Sequence, residues 1–245
     1  MANFLPLKNY MFYCLDEFIA RYDLVPPFLD VGCGIGDVSR YVASKGWEGK
    51  AIDFSAVAVE NARHNLTMFP QVEVEKRSLL DETGAFNTIF LWDVIEHIED
   101  DDRALAQVAS LLLPNGHALI SVPSNPDEWR WDDDFYGHYR RYTVEEMSAR
   151  LVDVGLTPLV FWDFTYPVFW AMRRVYTRLK SPDDANADHG VKTKASSTHN
   201  AWDIPVISYL LNGQFLGWRL VYKIQFSYFR SKLSSGHEMF VLARK

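Results

Sequence analysis

The stretch Asp30-Val31-Gly32-Cys33-Gly34-Ile35-Gly36-Asp37 places a carboxylate two residues ahead of three glycines at alternate positions. Glycine is needed where a backbone must turn sharply and let a ligand lie against it. A helix starting beyond the last glycine adds unpaired N–H groups. On glycines alone a dinucleotide would fit, but the G-x-G-x-x-G fingerprint needs glycine at position 37, which is Asp37. A dinucleotide site also has no use for Asp30, because it must accept an anionic pyrophosphate there. Asp30 suits the opposite charge, the ammonium and sulfonium end of a methyl donor. Asp53 follows Gly32 by 21 residues, where a carboxylate can accept both ribose hydroxyls. Dinucleotide enzymes use that same geometry, so Asp53 alone does not discriminate.

A second group of residues has the chemistry for proton transfer and substrate contact. His97 follows Trp92-Asp93-Val94-Ile95-Glu96, and histidine is the natural base near neutral pH. A structural role for Glu96 and His97, anchoring the start of the next helix, is the alternative. Within Gly137-His138-Tyr139-Arg140-Arg141-Tyr142-Thr143, His138 is a second candidate base. Arg140 and Arg141 can bind a carboxylate or phosphate on a substrate, or pair with Asp132, Asp133 or Asp134 nearby. Thr143 and Glu146 have the spacing of a capping box. The acidic run from Glu99 to Asp102 suits a helix N-terminus. The run Asp132 to Asp134 reads as a solvated loop that with His138 could hold a metal, and no metal is assigned.

The elements that must position these residues alternate between strand and helix. Asn9 to Tyr22 has helical spacing, and Pro26-Pro27 ends it before a short strand at Phe28 to Val31. Helices are expected at about 37–45 and 56–68, the latter capped by Ser55, and at about 101–112 and 145–154. Strands are expected at 50–53, 72–74, 88–92, 117–122 and 159–162, with Pro114-Asn115-Gly116 closing the helix before the fifth strand. Such alternation implies right-handed crossovers and an α/β, doubly wound, mostly parallel sheet. Ligands then bind at the carboxyl ends of the strands. Beyond Asp163 the pattern weakens. Residues 181–200 read as a mobile loop, 215–230 as a basic and aromatic helix, and His237 to Ala243 as a closing strand. The expected organisation is an N-terminal helical segment (1–27), a core (28–163), a helical lid or insertion (164–235) and the last strand (236–245).

Charge and composition narrow the function classes. The net charge of −7 divides unevenly, because residues 164–245 carry 12 Lys/Arg against 5 Asp/Glu. An acidic body argues against nucleic acid as partner. The basic, aromatic segment leaves room for an anionic or membrane-surface contact. Two cysteines, Cys14 and Cys33, in unrelated contexts indicate no disulfide framework and no zinc site. No secretory leader and no stretch of roughly 18 to 20 apolar residues is present, so the cytoplasm is the expected location.

Residues 28–163 resemble the class I S-adenosylmethionine-dependent methyltransferases, in particular the small-molecule group typified by ubiquinone-biosynthesis O-methyltransferases. The glycine-rich stretch from Asp30, then Asp53-Phe54-Ser55, Trp92-Asp93-Val94-Ile95-Glu96-His97-Ile98, and Leu113-Pro114-Asn115-Gly116 carry the likeness. The resemblance implies a seven-stranded Rossmann-like fold with S-adenosylmethionine as cofactor, contacted by Asp30, Gly32, Cys33, Gly34, Asp53, Phe54, Trp92 and Asp93. Its adenine is expected beside Ser78 and Leu79, where relatives often have an acidic residue in place of Ser78. His97 and His138 become the catalytic candidates, and Tyr139, Arg140 and Arg141 the substrate contacts, since many relatives show a similar histidine-and-aromatic stretch over the acceptor pocket. Some relatives are thought to use the Glu-His pair for a divalent metal. The acceptor implied is a small molecule, apolar or lipid-like, methylated at a hydroxyl. Carbon or nitrogen methylation, and a membrane-surface or partner-binding module retaining the cofactor fold, stay open. A nicotinamide oxidoreductase is opposed by Asp30 and Asp37.

Overall fold

The computed structural model describes residues 6–179 and 217–245. Seven strands form one sheet in the order β3-β2-β1-β4-β5-β7-β6. They are β1 (Phe28–Val31), β2 (Gly49–Asp53), β3 (Val72–Lys76), β4 (Phe86–Trp92), β5 (Leu112–Pro123), β6 (Thr157–Asp163) and β7 (Glu238–Arg244). The first five are parallel, and β7 runs antiparallel between β5 and β6. The strand order reverses at β1 and β4, so a crevice opens beyond their carboxyl ends.

Period-two alternation divides each central strand between two apolar layers. Phe28, Phe90, Leu119, Phe240 and Leu242 face one layer. Leu29, Val31, Ile89, Leu91, Ala118, Ile120, Val241 and Ala243 face the other. Helices α1 (Pro6–Tyr22), α2 (Asp37–Ala43) and α3 (Ala56–Asn65) cover the first layer, together with α7 (Val168–Leu179) and α8 (Gly217–Phe229). Helices α4 (Asp101–Leu111) and α6 (Val144–Asp153) cover the second, and the short α5 (Trp131–Tyr136) lies beyond β5. Phe18 of α1 stacks on Trp162 with ring centres 3.8 Å apart and meets Phe240 edge-on at 5.7 Å. The aromatic richness of the sequence thus belongs largely to this layer, where α1 and the insertion helices share one core.

The capping signals act as expected. Ser55 accepts from the Ala58 amide, Asp100 from Arg103, and Thr143 and Glu146 exchange both bonds of a capping box. One boundary differs. Strand β5 starts at Leu112, so Pro114-Asn115-Gly116 lies within its first part and not in a turn ahead of it. The cause is long-range, since Asn115 donates to the Lys245 carbonyl and Lys245 donates to that of Gly116. The loop expected at 181–200 lies outside the described residues. Among the described residues no helix is long and apolar enough to cross a membrane.

Candidate functional site

The glycine-rich turn between β1 and α2 is held by backbone bonds, Cys33 donating to the Ile52 carbonyl and Gly36 to that of Cys33. Gly32 and Gly34 have φ of +63° and +54°, a region that costs other residues energy. A side chain at Gly32 would meet Val94 at 2.7 Å, whereas one at Gly34 would project into open space. That hollow is where a ligand can lie against bare backbone. Cys33 is buried in the layer beneath.

Two acids flank the turn. Asp30 is 2% exposed, and its Oδ2 accepts from the Ser39 amide at 3.1 Å and hydroxyl at 2.6 Å. Burial pushes its carboxyl up to about 7 against those bonds, with Asp53 and Asp37 adding repulsion. Asp53 ends β2, and its Oδ2 accepts from the Gly34 amide at 3.0 Å and its Oδ1 from Ser55 at 2.8 Å. Burial raises it too, opposed by those amides. Both oxygens keep further lone pairs for hydroxyl donors. Phe54 beside it is half exposed. Beyond β3, the Ser78 hydroxyl accepts from the Leu80 amide and caps a short turn, Leu79–Asp81, while the Leu79 side chain is buried. An adenine there would meet the backbone and exposed Leu80, not the Leu79 side chain.

At the end of β4, Trp92 packs on Phe12 and Phe240, and its buried Nε1 has no hydrogen-bond partner among the described residues. Asp93 adopts φ +54°, held by its amide bond to Ser121 and by the Ser121 hydroxyl donating to Oδ1 at 2.7 Å. An aspartate in that region is uncommon, and such residues gather at functional sites. The fully buried Glu96 follows, with neither carboxylate oxygen hydrogen-bonded among the described residues. Burial, reinforced by Asp93 and Glu238, holds it well above the usual carboxylate range.

The two candidate histidines meet edge-on, with ring centres 4.8 Å apart. His97 Nδ1 lies 3.3 Å from the Gly137 carbonyl. His138 Nδ1 lies 2.8 Å from Asp133 Oδ1. Burial opposes charge on Asp133, but the bond from His138 and the cations of Arg141 and Arg173 prevail and hold it well below the usual range. An ionised Asp133 can only accept, so Nδ1 is the donating nitrogen of His138 in this contact and Nε2 lies on the other side of the ring. Glu96, His97 and His138 also offer three ligand atoms within 4.8 Å of one another.

The acidic run 132–134 departs from the solvated loop expected of it. It forms the first turn of α5, with Asp132 and Asp133 buried, because α7 brings Arg173 across them. Arg141 is committed to Asp133 at 2.7 Å and to the carbonyls of Ser124 and His237, and is 7% exposed. Arg140 pairs with Asp101 and donates to the Glu99 carbonyl at 2.7 Å. Of the two readings open for these arginines, the structure shows pairing with aspartate, although Asp101 takes Arg140. Tyr139 is 41% exposed at the rim. A cavity of about 110 Å³ lies beside His138, lined by Asp132, Tyr136, Arg173, Tyr176, His237 and Glu238 among others. Sequence reasoning missed Arg173, His237 and Glu238, and named Asp133 only as a partner for the arginines or, with His138, for a metal.

A methyltransferase-domain family model matches residues 7–159, from α1 into β6. The chain belongs to that family. A ubiquinone biosynthesis O-methyltransferase of Xanthomonas oryzae pv. oryzae is 35% identical over 114 residues, covering 44% of this chain and 48% of that protein. The protein of the same description from Alkalilimnicola ehrlichii is 33% identical over 124 residues, 48% of each. The chain therefore matches about half the length of these relatives. Among solved structures, a putative sarcosine dimethylglycine methyltransferase from Galdieria sulphuraria superposes with a TM-score of 0.63 at 16% identity, covering 98% of this chain and 86% of that one. The [4+2]-cyclase SpnF superposes at 0.58 and 20%, covering 95% and 80%. At such identities the likeness is one of fold. The family's cofactor is S-adenosylmethionine, and the open face of Gly34 between two acids fits it.

Proposed function

We propose that the protein methylates a hydroxyl oxygen of a small-molecule acceptor, with His138 as the general base. The carrying observation is the 2.8 Å contact of His138 Nδ1 with an Asp133 that its two arginines keep ionised. S-adenosylmethionine supplies an electrophilic methyl group on a sulfonium. Asp30 and Asp53 bind and orient that cofactor, with the turn from Gly32 to Gly34 beneath it. Asp93 and Trp92 close the site at the end of β4, and His138 Nε2 takes the proton leaving the acceptor hydroxyl. Two relatives described as O-methyltransferases support an oxygen nucleophile.

The cavity beside His138 sets the charged groups of Asp132, Arg173 and Glu238 among the largely apolar surfaces of Leu7, Tyr136 and Tyr176, which suits an apolar acceptor carrying a polar group. Arg140 and Arg141 are not part of this reading, because both are engaged by aspartates. A lipid-like remainder finds support in the exposed Leu220, Ile224 and Tyr228 of α8, which alternate with exposed Arg219 and Lys223. Contact with an anionic membrane surface is the matching partner proposal. A panel of alkyl phenols, assayed by S-adenosylhomocysteine release, tests the reaction. His138→Gln should slow the responsive member by about 10²–10⁴, and an unchanged rate would remove His138 as the base.

A second reading rests on Glu96, His97 and His138, whose ligand atoms are close enough to hold a divalent cation beside the acceptor. Neither oxygen of Glu96 is otherwise bonded among the described residues. Loss of activity on chelation with recovery on adding magnesium or zinc would favour it, and full activity after exhaustive chelation would exclude it.

A further inference from the structure

The insertion helix α7 reaches the candidate base through one side chain. Arg173 is 7% exposed and spends four contacts on two neighbouring acids and a carbonyl. Its Nε donates to Asp132 Oδ2 at 2.7 Å, and its Nη2 donates to Asp132 Oδ1 at 2.6 Å and Asp133 Oδ2 at 2.8 Å. Its Nη1 donates to the Glu128 carbonyl at 3.0 Å. The planar guanidinium thus sets the positions of two carboxylates at once with a rigid fork of donors, a geometry that a lysine ammonium reproduces only in part.

Asp133 is held at both oxygens. Oδ1 takes His138 Nδ1 and Arg141, and Oδ2 takes Arg173 and the Arg130 amide. Arg141 is itself anchored on two backbone carbonyls. A carboxylate fixed in this way fixes the direction of the His138 Nδ1–H bond, and with it the direction of Nε2 on the opposite side of the ring. Without Arg173 the Oδ2 side of Asp133 keeps a single amide, and Asp132 loses both of its guanidinium bonds. A merely structural ion pair is an incomplete account of this arrangement, since apolar residues often fill such sites equally well.

We propose that Arg173 is a positioning residue for the reaction: by clamping Asp133 it keeps the Nδ1 proton on His138 and aims Nε2 at the acceptor. The insertion is then part of the proton-transfer apparatus as well as a cover. This inference rests on His138 being the base. Positioning groups one step removed from the chemistry, when deleted, typically cost about 10–100-fold in related settings.

The test uses the full chain in two forms, Arg173→Lys and the charge-balanced pair Arg173→Met with Asp132→Asn. Calorimetry with S-adenosylhomocysteine checks that both retain the folded cofactor site. Nitrogen-15 spectra of the histidine rings, assigned with His138→Gln, report which ring nitrogen carries the proton. The expected result is a protonated Nδ1 with a slowly exchanging proton in the parent, and loss of that signature in the double variant. Its kcat on the responsive phenol should fall at least about tenfold with little change in the KM for S-adenosylmethionine, and Arg173→Lys should recover only part of the loss. An unchanged ring signature in the double variant overturns the proposal whatever the rate. If His138→Gln itself keeps full rate, the base assignment fails and this inference with it. If His138→Gln is slow while the double variant matches the parent in rate, only the role of Arg173 is overturned.

Discussion

Asp30 should make cofactor binding depend on pH in a calculable way. Its carboxyl is buried beneath the glycine turn and pushed up to about 7, where an ordinary aspartate titrates near 3.9. The sign follows from burial of an acid. Between those values the folded chain holds a proton that the unfolded chain has lost, so the unliganded protein loses stability as pH rises through this window. The shift of about three units corresponds to about 4 kcal/mol once Asp30 is fully charged. A cationic ligand reverses the preference, because it is attracted to the ionised form. At pH 6 about one-tenth of Asp30 is ionised and at pH 8 about nine-tenths, so affinity should rise about tenfold across that range. Titration of S-adenosylmethionine at pH 6, 7 and 8, in buffers of different ionisation heat, measures affinity and protons released together. The α-amino group of the ligand titrates near 8, and Asp30→Asn shares that contribution. The ratio of parent to variant therefore isolates Asp30. The asparagine oxygen can still accept from Ser39, so the turn should stay intact. A parent-to-variant ratio that does not change with pH would mean that Asp30 does not face the cationic end of the ligand.

Other consequences are simpler. Gly32→Ala forces a methyl to 2.7 Å from Val94 at φ +63°, and should cost at least about 1–2 kcal/mol in urea unfolding as well as weakening cofactor binding. Unchanged stability would mean the turn relaxes easily. Phe18→Ala removes a fully buried ring from between Trp162 and Phe240, and should destabilise by about 3–5 kcal/mol in the same assay without altering the affinity of any cofactor-site group. A loss under 1 kcal/mol would mean that α1 is not integral to the core.

The parts legible in the sequence are those written locally. The glycine turn, Asp30 and Asp53 lie within 24 consecutive residues, and each needs only its own strand end to reach the site. The strand at 88–92 and the caps at Ser55 and Thr143 depend on neighbours a few residues away. The acceptor side was less legible because its partners are distant in the chain. Nothing near Asp132 and Asp133 shows that a helix 40 residues later will bury them, so an acidic run looks solvated. Arg141 likewise looks available until His237 and Ser124, just ahead of β7 and just past β5, supply its carbonyl partners. The early start of β5 depends on the last residue of the chain, Lys245.

Calorimetric titration of S-adenosylmethionine and S-adenosylhomocysteine into the protein, repeated on Asp53→Ala, measures whether the glycine turn and its acids hold the cofactor. Asp53 joins the glycine turn through the Gly34 amide and is the acid placed to receive the ribose hydroxyls. Both compounds should bind in the micromolar range, and the substitution should abolish binding while the protein stays folded. Absence of binding to the parent protein, or unaltered binding to Asp53→Ala, would contradict this placement of the cofactor.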